Sequence, residues 1–196
     1  ICAITKCCED GLLGDKPILV VVPAGVLHNW KAEFKKFSPT LDVRFSLDTD
    51  ISQSSERTDP MSDVVLTTYS ALTIHFESFA EKEWGLVVAD EAQYLKNPSS
   101  ARSKAFRLLK SDEVIAMTGT PIENRLMDLW SIFACIQPKL LGDQKDFIRD
   151  YAIPIEARKN QKTAENLRKI LAPFVLRREK TDPAIISDLP KCAVNN

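Results

Sequence analysis

Gly85-Leu86-Val87-Val88-Ala89-Asp90-Glu91-Ala92-Gln93 is an apolar run that ends abruptly in two adjacent carboxylates. Leu86, Val87 and Val88 are too few for a helix of their own and read as a strand buried on both faces. At the carboxyl end of such a strand in an open parallel sheet, side chains emerge into the crevice where ligands bind. Two carboxylates suit phosphate chemistry at that spot. Asp90 can hold Mg²⁺ through its water shell, and Glu91 can orient or polarise an attacking water. A strand that merely ends in a solvated acidic turn would look the same over these nine residues. The surrounding chain has to decide.

Working outward, Ile18 to Val22 is a second continuous apolar, β-branched run, closed by Pro23, and is expected to be a central strand. Leu41 to Leu47 alternates as a strand, Val64 to Thr67 repeats the buried pattern, and Val114 to Met117 supplies a fifth strand. Helical spacing predicts helices over Ile1 to Asp10, Val26 to Phe37, Ala71 to Ala80, Ser99 to Lys110 and from Asn124 onward. Leu27, Trp30, Phe34 and Phe37 are expected on one apolar face, and Ala101, Ala105, Leu108 and Leu109 on another. Asp48 to Asp63 is polar and reads as a loop. Strands alternating with helices predict an α/β fold, a parallel sheet covered on both faces. After Pro138 the strand signal stops; Phe147 to Tyr151 and Ala164 to Leu171 read as short helices before Pro173.

Composition excludes several classes. The chain has 196 residues, 44% hydrophobic and 27% charged, ordinary for a soluble globular protein. No apolar run approaches a membrane span, so no membrane partner is expected. The 5 cysteines form no CxxC pair and only 2 histidines could assist them, which argues against a metal cluster and for reduced thiols. Residues 139–196 carry 12 basic and 8 acidic side chains against a net charge of −1 for the whole chain, so the rear is mildly basic. That fits a nucleic-acid face or a solvated helical surface. Gly11 and Lys16 invite a phosphate-loop reading, but that loop needs adjacent Gly-Lys followed by Ser or Thr, and Asp15 and Pro17 flank Lys16 here.

Four short stretches fall at the carboxyl ends of predicted strands: Pro23-Ala24 with Asn29-Trp30, Thr67-Thr68-Tyr69, Asp90 to Gln93, and Thr118-Gly119-Thr120-Pro121. In a parallel sheet all four line one edge. With these in order, the sequence resembles the Swi/Snf family of helicase-like ATPases in helicase superfamily two, over essentially the whole chain. Pro17 to Pro23 with Asn29, Trp30 and Glu33 is similar to motif Ia, and Leu66 to Tyr69 to motif Ib. Asp90 to Gln93 with Leu95-Lys96-Asn97 resembles motif II and its extension, and Thr118 to Asn124 with Asp128-Leu129-Trp130 resembles motif III. Pro173 to Arg178 with Lys180, then Leu189-Pro190-Lys191, resembles the linker between two motor lobes.

The resemblance implies a RecA-like first motor lobe over residues 1–137, a helical protrusion over 138–175 and a linker over 176–196. It implies ATP and Mg²⁺ as cofactors, double-stranded DNA as partner along which the motor translocates, and remodelling or displacement of DNA-bound proteins. Asp90 and Glu91 take the catalytic and Mg²⁺ roles. Gln93, Thr118, Gly119 and Thr120 couple the phosphate site to DNA, or the threonines simply satisfy a tight turn. Asn29, Lys31, Thr67 and Thr68 are candidate contacts to the DNA backbone, where hydroxyls and amides meet phosphate oxygens without reading sequence. Trp30 stands beside them but shares the apolar face, and core packing is the favoured reading. Lys96 and Asn97 fit phosphate contact and loop structure equally. Arg177, Arg178 and Lys180 read as interlobe or DNA contacts, against a solvated linker.

Two departures stand out. Gln93 occupies a place where the family usually has His, and an amide still donates and accepts there. The phosphate loop is expected upstream of Ile1 and the second lobe, with its arginines, beyond Asn196, so the segment is expected to be part of a longer protein and inactive alone. The alternatives are a catalytically inactive nucleic-acid- or protein-binding module of the same fold, and an RNA helicase of the same superfamily. The segment after motif III and the Arg-Arg-x-Lys linker argue against the RNA helicase. The expected location is cytoplasmic, nucleoid-associated in a bacterium and nuclear in a eukaryote, and the motifs look more bacterial or archaeal than eukaryotic.

Overall fold

A computed structural model describes residues 1–46, 63–119 and 126–177. Among the described residues the chain forms five parallel strands, β1 (Ile18–Val22), β2 (Val43–Phe45), β3 (Val64–Thr68), β4 (Glu83–Ala89) and β5 (Lys110–Ala116), in the order β2-β3-β1-β4-β5. β1 sits at the centre, with Val21 opposite Thr67 on one side and Ala89 on the other. This is the RecA-like α/β fold, with strand ends 22, 68, 89 and 116 along one edge.

The residues of β1 are all buried, and alternation sends them to opposite cores. Ile18, Val20 and Val22 pack with Ile4 of α1 (Cys2–Glu9) and with Leu27 and Phe34 of α2 (Leu27–Phe37). Leu19 and Val21 face the other side. There they meet α3 (Tyr69–Ile74), α4 (Phe76–Ala80), α5 (Ala101–Arg107) and α6 (Leu126–Ile136) through Tyr69, Leu72, Phe79, Phe106 and Ile132. Trp84, fully buried, donates its indole N–H to the Phe79 carbonyl at 3.0 Å and anchors the start of β4.

Several elements differ from the sequence expectation for local reasons. The helix expected over Ala71 to Ala80 begins earlier, because the Thr68 hydroxyl caps it by accepting the Ala71 N–H at 3.0 Å, and it divides at His75. The helix expected to run to Lys110 stops at Arg107, since Lys110 to Ala116 is drawn into pairing with β4. Leu108 is consequently exposed and Ala101 with it, while Phe106 and Ser103 are the buried residues of α5 beside Ala105. Phe37 lies 52% exposed, so the apolar face of α2 ends at Phe34. The strand expected from Leu41 is only three residues long, and the polar stretch expected as a loop falls largely outside the described residues.

Beyond Ile136 the helices gather around a separate cluster. α7 (Gln144–Phe147), a wide π-helical segment (Ile148–Ala157) and α8 (Gln161–Leu171) bury Phe147, Ala152, Leu167 and Leu171 against Leu129, Trp130 and Phe133 of α6. Pro154, which has no N–H to donate to the helical ladder, lies inside the π-helical segment. Glu156 Oε1, in the π-helical segment, accepts the Leu126 N–H at 2.7 Å and caps α6. Cys2, Cys7, Cys8 and Cys135 are free thiols; burial pushes Cys135 up to about 11.

Gly85 lies where β4 passes closest to the turn after α1. A Cβ there would sit 3.0 Å from Leu13 Cβ and 3.3 Å from the Leu13 carbonyl oxygen, which is backbone and does not yield easily. Gly85→Ala is therefore expected to destabilise the lobe by about 1–3 kcal/mol. Thermal unfolding of the protein carrying this lobe checks it, and an unchanged midpoint would show that the turn over Gly85 gives way freely.

Candidate active site at the carboxyl edge of the sheet

The ladder of β4 continues one residue past Ala89, with Asp90 N–H donating to the Val21 carbonyl at 2.9 Å. Glu91 then turns left-handed, with φ 50° and ψ 54°. A non-glycine residue in this region stores strain of about 1–3 kcal/mol and is held only when its surroundings over-determine it. Here they do. Glu91 N–H donates to Asp90 Oδ1 at 2.9 Å, and the Ala92 N–H donates to the Met117 carbonyl at 2.8 Å. The turn projects both carboxylates, each half-buried, from the edge.

Each carboxylate has a fixed partner. Trp30 Nε1–H donates to Asp90 Oδ2 at 2.8 Å. The Tyr69 hydroxyl donates to the Asp90 carbonyl at 2.7 Å, and the Tyr69 ring stacks on Tyr94 with centroids 5.2 Å apart. Burial, and after it the charge of Asp90, hold the Tyr69 phenol well above its ordinary range, so it remains a donor. Gln93 Nε2 donates to Glu91 Oε2 at 2.8 Å, and Gln93 Oε1 accepts from the Thr118 hydroxyl at 2.7 Å. One amide thus joins the acid at the end of β4 to the threonine after β5.

The remaining candidates divide. Asn29 and Lys31 are exposed on α2, Lys31 Nζ lying 4.3 Å above the Phe45 ring. Lys96 and Asn97 are exposed, and with Gln93, Ser70, Thr73 and Arg102 they line an open cavity of about 680 Å³. Asn97 also serves its own loop, its Oδ1 accepting from Ser99 N–H at 3.1 Å and from the Ser99 hydroxyl at 2.8 Å. Gly119 is exposed, and Arg177 is exposed beyond the turn at Ala172–Phe174. Thr120, Arg178 and Lys180 lie outside the described residues.

Thr67 and Thr68 are turned inward, contrary to the expectation of a DNA-facing pair. Thr67 is fully buried and donates its hydroxyl to the Ser46 carbonyl at 2.6 Å, while the buried Thr68 hydroxyl caps α3. Strand-end threonines satisfy the backbone groups that the sheet leaves unpaired before they reach solvent. Trp30, read from sequence as core, is half-buried and bonded to Asp90. Tyr69 had no assigned role in the sequence; the signal it carried was a polar tip on an aromatic at a strand end.

Among the described residues no three His, Cys, Asp or Glu side chains gather into a metal cluster. A pair of carboxylates at a strand end fits Mg²⁺, which dehydrates reluctantly and takes one or two carboxylates together with water and substrate phosphates.

The chain matches the SNF2-related domain family over residues 3–196. A Mycoplasma genitalium protein described as an uncharacterized ATP-dependent helicase is 37% identical over 175 residues, covering 89% of this chain and 16% of that protein. The mouse SWI/SNF-related matrix-associated actin-dependent regulator of chromatin subfamily A member 1 is 35% identical over 170 residues, covering 85% of this chain and 16% of that protein. The structure of the Sulfolobus solfataricus SWI2/SNF2 ATPase core in complex with dsDNA superposes with a TM-score of 0.81 at 42% identity, over 95% of this chain and 38% of that one. The chain therefore spans under a fifth of the length of these curated relatives. Its five-stranded sheet, its motifs in order and its match from residue 3 to residue 196 make it a member of the SNF2-related domain family, corresponding to the first lobe of the ATPase core.

Proposed function

We propose that this lobe carries the hydrolytic carboxylates of a DNA-dependent ATPase motor, which couples ATP hydrolysis to translocation on double-stranded DNA and to remodelling or displacement of bound proteins. The observation that carries the reading is the chain Thr118–Gln93–Glu91 beside Asp90, assembled from the ends of two adjacent strands. The relatives named as ATP-dependent helicases and the SWI2/SNF2 core solved on dsDNA support it.

Asp90 would hold Mg²⁺ through water, and the ion, when bound, would offset charge on the nucleotide phosphates. Asp90 is ready for this because its carboxylate plane is set by Trp30 and by the Glu91 N–H. Glu91 orients and polarises the attacking water, with Gln93 fixing one of its oxygens. Because Gln93 also accepts from Thr118, a shift of the segment after β5 is felt at Glu91 through two hydrogen bonds. Lys31 and Asn29 on α2, and Lys96 and Asn97 around the cavity, are the exposed polar groups suited to a phosphate backbone. Arg177, with Arg178 and Lys180 after it, is assigned to the interface with a second lobe or to DNA.

Glu91→Gln in the full-length protein is expected to lower ATP turnover by about 10²–10⁴, the usual worth of a positioned base, while nucleotide binding and the fold persist. DNA-stimulated turnover at the wild-type level in that variant would exclude Glu91 as the base. No turnover in the wild type, with salt-sensitive DNA binding retained, would instead support the inactive binding module. Gln93→Ala is expected to reduce DNA-stimulated turnover at least tenfold, about the 1.4 kcal/mol of one charge-assisted hydrogen bond. Gln93→His, which can donate and accept at the same place, is expected to recover most of it. Steady-state assays with and without duplex DNA read both.

A further inference from the structure

Three tryptophans lie in the chain, and their indole N–H groups have different partners. Trp84 donates to the Phe79 carbonyl and Trp130 to the Gly142 carbonyl at 3.2 Å, both ordinary backbone satisfaction. Trp30 donates to a side-chain carboxylate at the edge of the sheet, Asp90 Oδ2. Its ring is half-buried and packs at 41° to Phe34, with centroids 6.0 Å apart, so the N–H is aimed by packing and not by chance exposure. Indole is a donor only, and the other oxygen of Asp90 is taken by the Glu91 N–H. Two donors, one on α2 and one in the turn after β4, thus fix the rotation of one carboxylate.

We infer that Trp30 is a positioning residue for Asp90, setting the carboxylate that would hold the nucleotide's Mg²⁺. The identity of the ion rests on the ATPase reading above. Hydrogen bonds to a metal-holding carboxylate tune its orientation and basicity, and removing such a partner costs about 10–100-fold in metal affinity or activity. Trp30 also stands between Asn29 and Lys31 on α2, which are exposed.

The test is the affinity of the full-length protein for ADP, measured by calorimetry with Mg²⁺ and again with EDTA. Trp30→Phe keeps the packing on Phe34 and loses the N–H; Trp30→His keeps a ring N–H. In Trp30→Phe the gain in affinity that Mg²⁺ confers is expected to fall about tenfold, with EDTA affinity unchanged, and Trp30→His is expected to recover part of the gain. An undiminished gain in Trp30→Phe overturns the inference. So does an equal fall with and without Mg²⁺, or an equal loss in both variants, since each describes a packing role only. A wild type that binds ADP no better with Mg²⁺ also overturns it. Absence of turnover in a wild type that keeps the Mg²⁺ gain counts against the ATPase reading alone, and the two variants still decide the role of Trp30.

Discussion

A parallel sheet must be sealed on both faces, because its strands offer apolar side chains in both directions and its backbone pairs only in the plane. The central strand Ile18–Val22 meets that demand completely, with every residue buried and a strand bonded on each side. The helices and the second cluster are consequences: each helix is where the chain must go to cover one face before the next strand can pair. The helices do not cover the carboxyl edge, where the ladder runs out of partners. Polar residues collect there because backbone groups need them, and chemistry becomes possible because those residues are held by a rigid sheet.

The edge is stabilised by mutual constraint more than by any one strong contact. Glu91 adopts an uncommon left-handed turn, which is tolerable because the residues on either side are pinned to β1 and to the end of β5. The aromatic pair Tyr69–Tyr94, with Arg102 stacked 5.1 Å above Tyr94, closes the turn from the other core. Dipoles and donors fixed in advance have no reorganisation to undergo when a charged ligand arrives.

Much of this was legible in the sequence, and what was not had identifiable causes. The buried β-branched runs announced the strands, and the paired carboxylates announced the edge. The length of β5 was hidden because Lys110 to Glu113 is polar and only its pairing with Glu83 to Leu86 makes it a strand. Thr67 and Thr68 were mistaken for outward-facing groups because a hydroxyl suits a phosphate and a backbone carbonyl equally, and only the fold decides which is nearer. Trp30 was hidden by its neighbours: its spacing with Leu27 and Phe34 describes the ring correctly and says nothing about where the one polar atom points.

The amide at position 93 has one more consequence. It gives an acceptor to Thr118 and a donor to Glu91 at once, and it has no proton to gain near neutrality. An imidazole in the same place could do both only as the neutral tautomer. Below its ordinary pKa of about 6.5 it would carry two donors and lose its grip on the threonine hydroxyl. With glutamine the link between the two strand ends is indifferent to mild acidity, a condition under which an imidazole at the same place would titrate.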